Sequence, residues 1–110
     1  MSDLSNVEQL HGRTAIITGA SQGLGLEIAR RYVAAGASVM ICARDAELLS
    51  QAADELKSTI GKNQQIFSIA ADISKPDAVE DLIQSAVEKL GRIDVLVNNA
   101  GVYGPKGTIE

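Results

Sequence analysis

The residues in this sequence best shaped for chemistry are Thr18-Gly19-Ala20-Ser21-Gln22-Gly23-Leu24-Gly25, with glycines spaced G-x-x-x-G-x-G. The apolar run Ala15-Ile16-Ile17 leads into them. Leu24, Ile28 and Tyr32 follow on one helical stripe, with Ala29 and Val33 beside it. The stretch predicts a strand, a tight turn and a helix. The first turn of a helix has N–H groups without partners inside the helix, and they carry partial positive charge. A glycine turn that brings backbone close to them makes a site for a diphosphate. Glycine serves here because a Cβ would block either the ligand or a positive φ in the turn. The same pattern also fits a glycine-rich βα loop that holds nothing.

Other chemistries find little support. A P-loop needs G-x-x-x-x-G-K-[ST], and no lysine follows Gly23 to reach terminal phosphates. The glycines also depart from the dinucleotide fingerprint G-x-G-x-x-G by one more residue between the first two. His11 is the single histidine, and Cys42 the single cysteine. Neither has a partner at ligand spacing, so no metal site is expected. Cys42 lies in the apolar run Val39-Met40-Ile41-Cys42-Ala43 and reads as a small core residue rather than a reactive thiol.

The elements that must position the glycine turn can be read along the chain. Residues 1–12 are polar and aperiodic, a loose leader. The first helix stops at Gly36, and Ser38 to Ala43 reads as a second strand, apolar throughout as when both faces are covered. Asp45 can cap a second helix with stripe Leu48, Ala52, Leu56 and Ile60, flanked by Leu49 and Ala53 and stopped by Gly61. A third strand is expected over residues 65–70. Ser74-Lys75-Pro76-Asp77 has the S-x-x-D form of a capping box, opening a third helix with Ala78, Val79, Leu82, Ile83, Ala86, Val87 and Leu90 on its apolar side. Gly91 ends it, and Ile93 to Val97 makes a fourth strand. Strands alternating with helices over such spans force right-handed crossovers and a parallel sheet. The class is α/β, a doubly wound Rossmann fold, incomplete at about four strands and three helices.

Composition limits the partners. The 110 residues carry a formal net charge of −4. That argues against nucleic acid and anionic membranes, which call for a basic face. No stretch is long and apolar enough to span a bilayer, and the first residues lack the build of a secretory signal. One cysteine fits a reducing compartment, so the expected location is cytoplasmic.

Thr18-Gly19-Ala20-Ser21-Gln22-Gly23-Leu24-Gly25 resembles the T-G-x-x-x-G-x-G motif of the short-chain dehydrogenase/reductase (SDR) family. Three further matches follow in the family's order and spacing: Asp72 after the third strand, Asp94 entering the fourth, and Asn98-Asn99-Ala100-Gly101 leaving it. The resemblance covers residues 12–104 and is to the N-terminal portion of the family. It implies that Gly19, Ser21, Gln22, Gly23, Leu24 and Gly25 wrap the diphosphate of a nicotinamide cofactor. It further implies that Asp72 and Ile73 flank the adenine and that Asn99, Ala100 and Gly101 line its ribose region. Read without the family, Asp72 also fits a simple turn aspartate, the asparagines a strand end with local backbone bonds, and Asp94 a structural residue at a strand start.

At the end of the second strand, the family's NAD enzymes carry an acid where this chain has Ala43, and Arg44 follows. An arginine there favours the 2′-phosphate through a charge-assisted contact, so NADP(H) is expected over NAD(H). A solvated turn arginine is the alternative, and Asp45 next door could partly neutralise it. The family's catalytic serine, Y-x-x-x-K pair and further asparagine have no counterparts in these residues. Lys106 stands three residues after Tyr103, not four, on a glycine- and proline-containing turn, and the pair reads as a decoy.

The expectation is therefore the front part of an NADP(H)-dependent oxidoreductase, residues 13–110, ending before the catalytic half. The complete enzyme would act on a small-molecule carbonyl or alcohol, with 3-oxoacyl thioesters as the default class, and would form a homo-oligomer. The alternative is a non-catalytic fragment that binds an adenine dinucleotide. A methyltransferase is disfavoured because it gives no role to Asn98-Asn99-Ala100-Gly101 and would want an acid at the end of the second strand. Without further strands beside it, Val95-Leu96-Val97 would be an unprotected apolar edge prone to self-association.

Overall fold

The structure, a computed structural model, describes residues 10–99. Four strands, β1 (Thr14–Thr18), β2 (Ser38–Ala43), β3 (Ile66–Ala70) and β4 (Val95–Val97), alternate with α1 (Gly23–Ala34), α2 (Ala46–Lys57) and α3 (Pro76–Leu90). All strand pairs are parallel, in the order β3-β2-β1-β4. This is the α/β doubly wound architecture expected. The chain walks outward from β1 to β3, and α3 then carries it back across to the far side of β1. That reversal opens a crevice beyond the carboxyl ends of β1 and β4, the place where such sheets bind ligands.

Strand periodicity sorts the core into two layers. Ala15, Ile17, Val39, Ile41 and Ile66 face α1 and α2, meeting Leu26, Ala29, Val33, Leu49, Ala52, Ala53 and Leu56. Ile16, Met40 and Cys42 face the other way, onto Leu82 and Ala86 of α3. Each of Ile16, Ile17, Met40 and Ile41 is fully buried, contributing about 1.5–3 kcal/mol by leaving water. Burial raises the pKa of the Cys42 thiol to about 11, so it is the inert core residue its apolar run suggested.

Several boundaries differ from the sequence reading for identifiable reasons. The buried stripe of α1 is Leu26, Ala29 and Val33, while Leu24 is 66% exposed and faces away from the core. Helix α1 ends as expected at Gly36, in a Schellman closure with Gly36 N–H on the Val33 carbonyl (3.0 Å) and Ala37 N–H on the Tyr32 carbonyl (3.0 Å). Asp45 caps α2 through Leu48 N–H at 3.0 Å. Yet α2 stops at Lys57, short of Gly61, because the Ser58 and Thr59 hydroxyls turn back onto the Glu55 and Leu56 carbonyls. The capping box at Ser74 is not formed. Lys75 is the N-cap of α3, and the Ser74 hydroxyl binds Asp72 instead. Strand β3 starts at Ile66, one residue late, and β4 at Val95, two residues late.

Of the leader expected over residues 1–12, the last three are described, and they are fastened: Leu10 N–H donates to the Ala35 carbonyl at 3.0 Å and Leu10 packs on the α1 side of the core. Among the described residues no helix is long and apolar enough to cross a membrane.

Asp94 proves to be a clamp between strand starts. Its carboxylate accepts Thr14 N–H at 2.9 Å and the Arg92 guanidinium at 2.8 Å, while Asp94 N–H donates to the Thr14 carbonyl at 2.9 Å. The Thr14 hydroxyl completes the knot by donating to the Arg92 carbonyl. The Arg92 guanidinium, then the Thr14 N–H, hold the Asp94 carboxyl down at about 2. A depressed folded-state pKa stabilises the fold fully above the ordinary aspartate value and loses that stabilisation as pH falls through the depressed one. The whole protein should therefore lose part of its urea resistance between about pH 4 and pH 2 through Asp94. Asp94→Asn should flatten that part of the profile, whereas an unchanged slope in urea melts across this range would contradict it.

Candidate functional site

The glycine loop joins the end of β1 to the start of α1, and its geometry follows from two left-handed residues, Gly19 (φ 63°) and Gly23 (φ 61°). Ala20 N–H donates to the Cys42 carbonyl at 3.2 Å, tying the loop to β2. The chain then turns straight into α1. Gln22 is the N-cap but makes no side-chain cap bond, and the first turn holds no acidic residue. The N–H groups of that first turn have no partner inside the helix and carry partial positive charge.

Gly25 explains how the loop comes so close to the helix. A Cβ on it would lie 2.0 Å from the Gly19 carbonyl oxygen and 2.7 Å from Asn99 Nδ2. Gly23 is the opposite case: a Cβ there would meet nothing within 4 Å, so its requirement is backbone conformation and open space above the helix end. Asn99, leaving β4, donates from Nδ2 to the Gly19 carbonyl at 3.4 Å, and its backbone N–H donates to Thr18 Oγ1 at 2.9 Å. Thr18 Oγ1 also lies 3.1 Å from Asn98 Oδ1. Thr18 is thus the junction between β1 and β4 at the crevice. Thr18 is not among the site residues expected from the sequence, and its place directly before Gly19 is the signal for this role.

A second group lies along the same edge of the sheet, beyond β2 and β3. Ala71 N–H donates to the Ala43 carbonyl at 2.9 Å, which sets the residues after the two strands side by side. Arg44 is exposed and, among the described residues, forms no ion pair. Asp45 is turned into its helix cap. Asp72 receives two bonds on Oδ1, from Ser74 N–H at 3.0 Å and the Ser74 hydroxyl at 2.7 Å. The Ser74 hydroxyl and N–H, with a smaller pull from the Arg44 and Lys75 charges, hold Asp72 below the usual aspartate range and keep it ionised. Ile73 is half-buried, packed on the α3 side of the core.

The structure therefore brings Gly19, Gly23, Gly25 and Asn99 together at the β1 end, with Ser21 half-buried and Gln22 and Leu24 exposed around them. It sets Arg44, Asp72 and Ile73 together further along. Ala100, Gly101, Tyr103 and Lys106 lie outside the described residues. Among the described residues no group of three or more His, Cys, Asp or Glu could hold a metal ion. An uncapped helix end, close backbone and a nearby cation in no ion pair among the described residues fit a dinucleotide: Gly19 to Gly25 would hold its diphosphate, and the nicotinamide would supply hydride chemistry.

The two glycines should fail differently. Gly25→Ala puts a methyl into backbone and should cost about 3 kcal/mol or more, with a large fall in melting temperature. Gly23→Ala forces only a left-handed alanine, at about 1–2 kcal/mol. In the whole protein it should keep its fold by circular dichroism while fluorescence titration with a reduced nicotinamide dinucleotide shows weakened binding. Equal melting temperatures for the two variants would refute the distinction.

Residues 13–110 match the family model described as short chain dehydrogenase. The chain is 41% identical over 98 residues to 1-deoxy-11-beta-hydroxypentalenate dehydrogenase of Streptomyces exfoliatus, covering 89% of this chain and 34% of that protein. It is 42% identical over 98 residues to 7alpha-hydroxysteroid dehydrogenase of Escherichia coli K12, covering 89% and 37%. The L-sorbose reductase of Gluconobacter frateurii, solved with NADPH and L-sorbose, superimposes with a TM-score of 0.79 at 37% identity, covering 90% of this chain and 36% of that one. The chain thus spans little more than a third of the length of these proteins, and the shared stretch is their N-terminal part. A glycine loop locked against a helix end, in a sheet that reverses at that point, agrees with the family match over nearly the whole chain: it belongs to the short-chain dehydrogenases.

Proposed function

We propose that this chain is the cofactor-binding part of an NADP(H)-dependent oxidoreductase that interconverts a small-molecule carbonyl and its alcohol. The observation that carries this reading is the uncapped N-terminus of α1, pressed against the Gly19 carbonyl by the bare Gly25, with Arg44 exposed one strand away and in no ion pair among the described residues. The loop would bind the diphosphate through backbone N–H groups, which explains how a chain of net charge −4 can hold an anion. Arg44 would meet the 2′-phosphate, with Asp45 removed from competition by its capping bond. Asp72 and Ile73 would flank the adenine, and Asn99, with Ala100 and Gly101, the ribose region.

The L-sorbose reductase is complexed with NADPH, and this supports the choice of cofactor. That protein reduces a sugar and the Escherichia coli relative is named for a hydroxysteroid, so carbonyl or alcohol substrates of small-molecule size are the class in reach. The reading places the protein in the cytoplasm, and the proton-transfer residues in sequence that would follow these residues.

In the whole protein, Arg44→Asp should raise the KM for NADPH by about tenfold or more while leaving that for NADH unchanged or lower, since one charge-assisted phosphate contact becomes a repulsion. Equal rises for both cofactors would overturn the preference.

A further inference from the structure

We propose that Ser74 is a positioning residue for base recognition: by occupying Asp72 Oδ1 it fixes the carboxylate so that Oδ2 is presented to the exocyclic amine of an adenine. This rests on the cofactor reading above and goes beyond it, since Ser74 touches no part of the cofactor in that reading.

Ser74 opens the S-x-x-D pattern of a helix cap, yet its hydroxyl is not spent on α3. Hydroxyl and N–H together bind one oxygen of Asp72, at 2.7 and 3.0 Å. Two bonds to one atom fix both the torsion of the carboxylate and the direction of its second oxygen. Among the described residues Oδ2 of Asp72 accepts no hydrogen bond. A half-buried, ionised acceptor with one oxygen anchored and the other vacant is suited to a neutral donor. Its place names the donor. Along the carboxyl edge of the sheet, the helix end beside β1 suits a diphosphate, the cation after β2 suits a ribose phosphate, and Asp72 after β3 comes next in line. The part of a dinucleotide beyond that ribose is its purine.

Adenine and hypoxanthine separate this role from mere stability. Adenine presents an amine donor at C6 and no donor at N1. Hypoxanthine presents a carbonyl oxygen at C6, which a fixed Oδ2 repels, and a donor at N1, which only a carboxylate free to swing can reach.

The test is fluorescence titration of the whole protein with NADPH and with reduced nicotinamide hypoxanthine dinucleotide phosphate. The unaltered protein should prefer the adenine form. Ser74→Ala should weaken NADPH by about threefold, leave the hypoxanthine form unchanged or tighter, and so narrow the ratio. Ser74→Thr, which keeps the hydroxyl, should restore the ratio. Ser74 is exposed, and an unchanged melting temperature will confirm that the variants fold. Parallel loss for both cofactors, or no change for either, would overturn the role of Ser74 while leaving the cofactor reading intact. No saturable NADPH signal from the unaltered protein would overturn both.

Discussion

The crevice depends on one missing atom, the Cβ of Gly25. With Gly25 bare, the Gly19 carbonyl can lie against the first turn of α1, and the helix can begin directly at the end of β1. Any side chain there would push the loop outward and turn the free N–H groups away from the sheet edge. Asn99 then closes the triangle. Its amide reaches the same Gly19 carbonyl while its backbone binds Thr18, so consecutive β1 and α1 meet β4, from 80 residues further along the chain, at one point. Backbone fixed from three sides has little freedom left to lose.

From that point the sheet acts as a ruler. Parallel strands bring their carboxyl ends to one edge, and neighbours lie about 4.8 Å apart. The residues following β1, β2 and β3 are therefore spaced like the parts of an extended dinucleotide rather than gathered into a cluster. The electrostatics along the edge change sign over those steps. The helix end is positive by its backbone, Arg44 by its side chain, and Asp72 is held negative by Ser74. An overall negative charge does not prevent this, because the field that an anion meets at a helix end is set by the nearest dipoles and not by distant surface acids.

Much of this was legible in residues 14–97 because the sheet is parallel and its central strands are apolar on both sides, so period, punctuation and order all agree. Gly36, Asp45 and Gly91 did in the fold what their types suggested. Two of the departures, at the end of α2 and the start of α3, share a cause: side-chain hydroxyls that find nearer partners. Ser58 and Thr59 closed α2 early, and the Ser74 hydroxyl donates to the charged Asp72 carboxylate instead of accepting an N–H at the start of α3. Leu24 misled for another reason. Helical spacing alone cannot tell which stripe faces the core when the first turn faces a crevice, and Leu26 took the buried place. The geometry of Gly25 was also out of reach, since the G-x-x-x-G-x-G pattern gives no hint which glycine makes room for backbone and which takes a left-handed turn.

The two faces of the sheet are covered unequally, and this bears on why the site sits where it does. Helices α1 and α2 seal one face and hold most of the buried side chains; Arg30 on Glu55 joins the two helices, and the Gln64 amide ties the turn before β3 to the Val33 and Ala37 carbonyls at 2.8 and 2.7 Å. Helix α3 alone serves the other, where Ile83 and Val87 remain 38% and 48% exposed and Leu96 of β4 is 52% exposed. The glycine loop belongs to the fully packed face, so its shape does not wait on cover for the α3 face. Asn99 is the exception. It reaches the loop from β4, the strand with the least burial of the four, so the loop's third support depends on how firmly β4 is held. The Asp94 knot, fixing the start of β4 to Thr14, supplies that hold from the opposite end of the strand. A substitution that loosens the knot would be felt at Gly19 through three residues of strand, without touching the loop at all.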